Sequence, residues 1–157
     1  MKVRVISGIV LGLIAISALL VGGWYLYALC MFISLVGMSE LYKVIGREKS
    51  ILAAVGYISA IFYYVCIAAD MEKYAMFVIC AALMSIMAVY VFTFPKYKAE
   101  EAMLVFFGIV YVAVMLSYVY ELRTMEDGMF IVWLIFISSW GNDTFAYFSG
   151  VLFGKHK

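Results

Sequence analysis

The chain has 157 residues, of which 68% are hydrophobic and 13% charged, with a formal net charge of +1. A soluble domain is about half apolar and a quarter charged, so this chain has too little polar surface for a water-facing exterior. Its mean hydropathy of +1.10 points to a bilayer as solvent, and the lack of a basic excess argues against nucleic acid as a partner.

A hydrocarbon core of about 30 Å needs about 20 apolar residues of helix, rising roughly 1.5 Å each. Backbone polar groups must be satisfied within the span there, which favours helices, and the alternation of a β-barrel is missing. The first predicted span covers residues 5–21. A weak small-x-small site at Ala15-Ile16-Ser17 would suit a signal peptide, but the hydrophobicity never stops, so an uncleaved helix is the simpler reading. Gly22-Gly23 breaks it. The second span covers 24–39, with Trp24, Tyr25 and Tyr27 placed as an interfacial aromatic belt. The third covers 51–69. The fourth covers 74–94 and stops at Pro95, the only proline, which lacks an amide hydrogen and clashes with the preceding turn. The fifth covers 102–120 and the sixth 129–153. The expected fold is an all-α polytopic transmembrane bundle of about six spans, a single domain over residues 1–157.

The linkers hold nearly all the charge. Lys2, Arg4, Lys43, Arg47, Lys49, Lys96, Lys98, Lys155 and Lys157 fall on one side, nine cations, against Lys73 and Arg123 on the other. That asymmetry assigns both termini to the cytoplasm of a multi-pass cell-membrane protein. Cys30, Cys66 and Cys80 lie far apart in apolar runs, with no CxxC pair and a single histidine, so they read as small buried apolar residues rather than zinc ligands.

The sixth span differs from the rest. Asp143 is the only carboxylate inside any predicted span, and a charge at mid-bilayer costs a few kcal/mol, about 2.5–3.5 on insertion scales. It needs a partner, water or a metal. Ser139, Asp143, Ala146, Tyr147, Gly150 and Gly154 share one helical face, small and polar, which is expected to point into the protein or a wet cavity. Two readings stay open on spacing alone. Asp143 is a functional group, or it is structural glue beside the Gly150-Val151-Leu152-Phe153-Gly154 packing pattern. The span could also end near Trp140, leaving Asp143 at the cytoplasmic interface. Glu40 follows the second span beside Lys43 and reads as an interfacial ion pair rather than a catalytic acid. Lys155-His156-Lys157 read as a positive-inside anchor, or with a nearby carboxylate as a phosphate site.

The run Trp140-Gly141-Asn142-Asp143-Thr144-Phe145-Ala146-Tyr147-Phe148-Ser149-Gly150-Val151-Leu152-Phe153-Gly154-Lys155-His156-Lys157 resembles the central motif of the phosphatidate cytidylyltransferases, or CDP-diglyceride synthases. In that family an aspartate, then Ala-Tyr, then Gly-x-x-Phe-Gly-Lys-His-Lys recur in this order. Lys2-Val3-Arg4-Val5-Ile6-Ser7-Gly8 looks like the family's start, and Glu40 stands where members often carry a glutamate. Members continue past this lysine into a Ser-Pro-Lys-Lys-Thr-like segment, further helices and a second signature that hold most nucleotide and metal contacts. The resemblance therefore implies the N-terminal part of such an enzyme, inactive alone, with a separate chain, encoded in a neighbouring reading frame, as the expected carrier of the rest.

The reaction implied is attack of phosphatidate on the α-phosphorus of CTP, giving CDP-diacylglycerol and pyrophosphate, with Mg2+ as cofactor. The resemblance assigns Asp143 as catalytic and metal-binding, and Asn142, Lys155, His156 and Lys157 as substrate-binding. Two other classes compete with this one: a non-catalytic membrane helix-bundle or assembly protein, and a small transporter. The last would want paired ionisable groups on facing helices, which the first five spans do not offer.

Overall fold

The structure is a computed structural model that describes residues 2–153, with side chains from Val10 to Leu152. Among the described residues every regular element is helical. Helix α1 (Lys2–Val21) ends where Gly22 and Gly23 take φ of 67° and 54°, a left-handed backbone that a side chain would resist. Helix α2 (Gly23–Val44) runs past the expected end at Ser39, because nothing breaks it before Gly46 at φ 66°. Helix α3 (Ile51–Ala68) starts at Ser50, whose Oγ accepts the Ala53 amide at 3.1 Å and relieves one of the first turn's unpaired donors. A single 3-10 turn (Glu72–Tyr74) leads into α4 (Ala75–Phe92), which stops ahead of Pro95.

The next rod is not uniform. Helix α5 (Ala99–Phe107) passes into a π segment (Gly108–Val114) and then into α6 (Met115–Thr124). Helix α7 (Gly128–Phe153) closes the described chain. Five of these stretches, Gly23–Val44, Ile51–Ala68, Glu72–Phe92, Ala99–Thr124 and Gly128–Leu152, are long and apolar enough to cross a bilayer, and Val10–Val21 is a shorter apolar helix. The protein is an all-α, multi-pass membrane protein.

Helices α2, α3 and the α5–π–α6 rod form the centre. Helix α1 lies on α2, α4 lies on α3 and α5, and α7 lies on α6 and touches α1. Tyr42, Tyr64, Met38, Leu52, Ile109 and Val105 are fully buried between the inner three. Their polar groups are satisfied inside the bundle, as a bilayer requires. Tyr42 Oη donates to Val105 O at 2.9 Å, and Tyr64 Oη donates to Ala113 O at 3.3 Å while contacting Ser34 Oγ at 2.8 Å. These two tyrosines bracket the π segment, where the regular carbonyl–amide ladder is interrupted. On the far side of the bundle, Arg123 Nε donates to Leu19 O at 2.9 Å and so caps the end of α1.

Two sequence expectations change. Trp24 and Tyr25 are exposed as an interfacial belt requires, but Tyr27 is buried and donates to Tyr64 O at 2.8 Å. It lies one turn deeper and on the inner face of α2. Of the three cysteines, only Cys30 is buried; Cys66 is half-buried and Cys80 is exposed. An apolar residue in a bilayer has no need to face protein, so hydrophobicity alone does not say which side is the core.

Candidate functional site

Helix α7 packs on the bundle only through its first half. Val132 is buried, and Ile131, Trp133 and Phe136 are half-buried. From Ile137 to Leu152 every residue except Gly141 is exposed. A Cβ built on Gly141 or Gly150 would meet nothing within 4 Å. The helix nevertheless continues unbroken from Gly128 to Phe153, through the motif.

Among the described residues the polar face is left uncovered. Ser139, Asp143, Ala146, Tyr147 and Gly150 were expected to point into the protein or a wet cavity; all five are exposed, and no described residue covers them. The physical reason is connectivity. A short turn ties α7 to α6, its main packing among the described residues is on α6 and α1, and the remaining helices pack among themselves. Asp143 makes no hydrogen bond or ion pair among the described residues. Asn142 is exposed beside it. Ser149 Oγ donates to Ala146 O at 3.0 Å and so satisfies itself within the helix. Gly154 of the same face, and Lys155, His156 and Lys157, lie outside the described residues.

The donor set for a metal is not assembled here. Among the described residues no group of three or more His, Cys, Asp or Glu side chains comes together. Asp143 contributes one carboxylate, and the described part of the chain does not by itself fit a magnesium site.

Glu40 is paired as the sequence suggested, with Lys43 Nζ 2.6 Å from its Oε1 on the last turn of α2. A second gathering of charge escaped sequence reasoning. Arg47, in the α2–α3 loop, donates from Nε to Glu101 Oε1 at 3.1 Å and from Nη2 to Lys96 O at 3.3 Å. The signal was present in the sequence. Two loops rich in Lys and Arg, separated by an even number of spans, emerge on the same side.

A model of the cytidylyltransferase family matches residues 2–157. The chain belongs to that family. Among curated proteins, it is similar to the phosphatidate cytidylyltransferase of Staphylococcus epidermidis, 26% identical over 162 residues, which covers 100% of this chain and 61% of that relative. It is also similar to the phosphatidate cytidylyltransferase of Staphylococcus haemolyticus, 27% identical with the same coverage. The chain thus spans 61% of the length of the curated relatives it matches. No solved structure matches it significantly. For a cytidylyltransferase-family chain, the Asp143 to Phe153 stretch is set on one continuous helix, with Asp143, Ala146 and Gly150 exposed.

Proposed function

We propose that this chain is the membrane-embedded N-terminal part of a phosphatidate cytidylyltransferase, the enzyme of phospholipid synthesis that forms CDP-diacylglycerol from phosphatidate and CTP. The observation that carries the reading is the family match over residues 2–157, together with the continuous helix that presents its motif. In the reaction, a phosphate oxygen of phosphatidate forms a bond to the α-phosphorus of CTP. The bond from that phosphorus to the bridging oxygen breaks, and pyrophosphate leaves with the electron pair. Such a transfer depends on aligning the reactants and neutralising phosphate charge.

The roles proposed for this chain follow from residue type and place. Asp143 stands about 22 Å along α7 from Gly128, at roughly 1.5 Å per residue, towards the side that charge asymmetry assigns to the cytoplasm. A lipid substrate and a soluble one must meet at such a depth. Asp143 is proposed as the one carboxylate from this chain that holds magnesium, and Asn142, Lys155, His156 and Lys157 as contacts to the anionic substrates. The exposed α7 face requires cover before any of this is competent, because a carboxylate facing lipid is too costly. We propose that a further polypeptide segment, in cis or as a separate chain, supplies that cover.

The test measures incorporation of radiolabelled CTP into phosphatidate vesicles by the purified 157-residue protein, alone and co-expressed with the remaining part of the Staphylococcus epidermidis relative. The reading predicts turnover only in the combined sample. Robust turnover by the chain alone would show that no cover is needed. Absence of turnover in both, with a stable complex formed, would favour the second reading. That reading is a non-catalytic assembly protein, and the open small face around Gly141 and Gly150 is what favours it.

A further inference from the structure

A second polar region lies away from α7, where the α2–α3 loop meets the α4–α5 loop. A cavity of about 410 Å³ opens there, lined by Arg47, Glu48, Lys49, Ser50, Lys96 and Tyr97. We infer that this cavity binds the phosphate group of an anionic phospholipid headgroup, at a site separate from the α7 motif.

The charge arrangement is the first argument. Arg47 and Lys96 both approach the ring of Tyr97, with the guanidinium carbon 5.3 Å and the ammonium 5.4 Å from its centroid. Tyr97 is only 2% exposed, so this ring is a fixed platform rather than a loose surface side chain. Arg47 is held by Glu101 and by the Lys96 carbonyl. Lys49 and Lys96 are exposed and make no ion pair among the described residues. Against them the wall supplies one acid, Glu48. The cavity is therefore net positive, with two ammonium groups that no acid among the described residues neutralises. Bringing like charges together at a rigid wall is unfavourable until an anion sits between them.

The second argument is the backbone. Helix α3 begins at this wall, and Ser50 Oγ takes only the Ala53 amide. The first amide of the helix, at Ile51, which lines the cavity, has no helical acceptor available to it. It adds a donor and the positive end of a helix dipole to the same cavity as the lysines.

Depth decides between a lipid and a free anion. Ile51 lines the cavity and is 56% exposed, and Phe92 and Phe94, at the end of α4 a few residues before Lys96, are exposed too. Exposed apolar residues at the ends of two spans, with cations close by in the chain, suit the boundary between acyl chains and headgroups. A lipid phosphate is delivered there by the bilayer itself, whereas a soluble phosphate would have to leave water. Basic pockets at helix ends on the positive side of a bundle suit anionic lipid.

The experiment releases the full chain from phosphatidylcholine bilayers containing a minor fraction of phosphatidylglycerol and counts retained lipids by native mass spectrometry. The expected result is retained phosphatidylglycerol, with retention about 30-fold weaker when Lys49→Ala and Lys96→Ala are combined, the size expected for two lysines beside anionic headgroups. Lys73→Ala removes one positive charge from the opposite side and keeps the lipid. The Lys49→Arg, Lys96→Arg pair also keeps it, which separates loss of charge from loss of fold. Equal retention by the double alanine variant and the unaltered chain would overturn the proposal. So would full displacement of the lipid by inorganic phosphate, since that would make the site one for a free anion.

Discussion

The hydroxyl of Tyr42 reaches the carbonyl of Val105 at 2.9 Å, from α2 to the α5–π–α6 rod. Two glycines make room for it. A Cβ on Gly56 would stand 2.5 Å from the Tyr42 hydroxyl, and one on Gly108 would stand 2.9 Å from the ring. The ring is wedged between two backbones, and its hydroxyl adds a second donor to a carbonyl that also accepts the Gly108 amide.

Gly108→Ala is therefore expected to destabilise the bundle by about 1–3 kcal/mol through overpacking. Tyr42→Phe is expected to cost less, about 0.5–1.5 kcal/mol, since Val105 O keeps one donor. Thermal unfolding in detergent, followed by far-UV circular dichroism, measures both. If Gly108→Ala were neutral, the close packing at the start of the π segment would be wrong.

Arg123 fastens α1 to the rest of the protein. Its Nε bonds Leu19 O, its Nη2 reaches Leu20 O at 3.5 Å, and its guanidinium lies against Gly22. Arg123→Ala is expected to cost about 1.5–3 kcal/mol, the range for a hydrogen bond to a charged group, and to speed hydrogen exchange at the end of α1 ahead of the other helices. Uniform exchange across all helices would show that α1 is held by something else.

The general layout of this protein was legible because membrane spans are long and their breakers are few. Gly22-Gly23 and Pro95 mark helix ends in the sequence, and the structure stops α1 and α4 close to them. The interior was not legible in the same way. Tyr27 read as part of an interfacial belt, and nothing set Tyr42, Tyr63 and Tyr64 apart from other aromatic residues, yet all four are buried and carry polar contacts between helices. Hydropathy cannot separate a lipid-facing face from a protein-facing one when both are apolar, which is also why Cys80 was misplaced. Asp143 stood out by charge alone, but its surroundings depend on what lies against α7. No residue within α7 carries that information.

The orientation drawn from the charge count has its own test. Single cysteines in place of Lys49 and Lys96, in a background with Cys30, Cys66 and Cys80 changed to alanine, are expected to react with a membrane-impermeant thiol reagent only after the cytoplasmic side is opened. A cysteine in place of Lys73 is expected to react in intact cells. The reverse pattern would put the basic loops outside and remove the inner-leaflet setting from both sites proposed above.

Asp143 is proposed as the carboxylate of a catalytic site built along α7. Asp143→Asn in a full-length cytidylyltransferase carrying these 157 residues, read as label from CTP transferred to phosphatidate, tests this. Turnover is expected to fall by at least about 100-fold, the scale for removing a positioned group that stabilises transition-state charge, with helical content and membrane insertion unchanged. Turnover equal to that of the unaltered enzyme would contradict it, as would loss of activity that came only with aggregation in detergent.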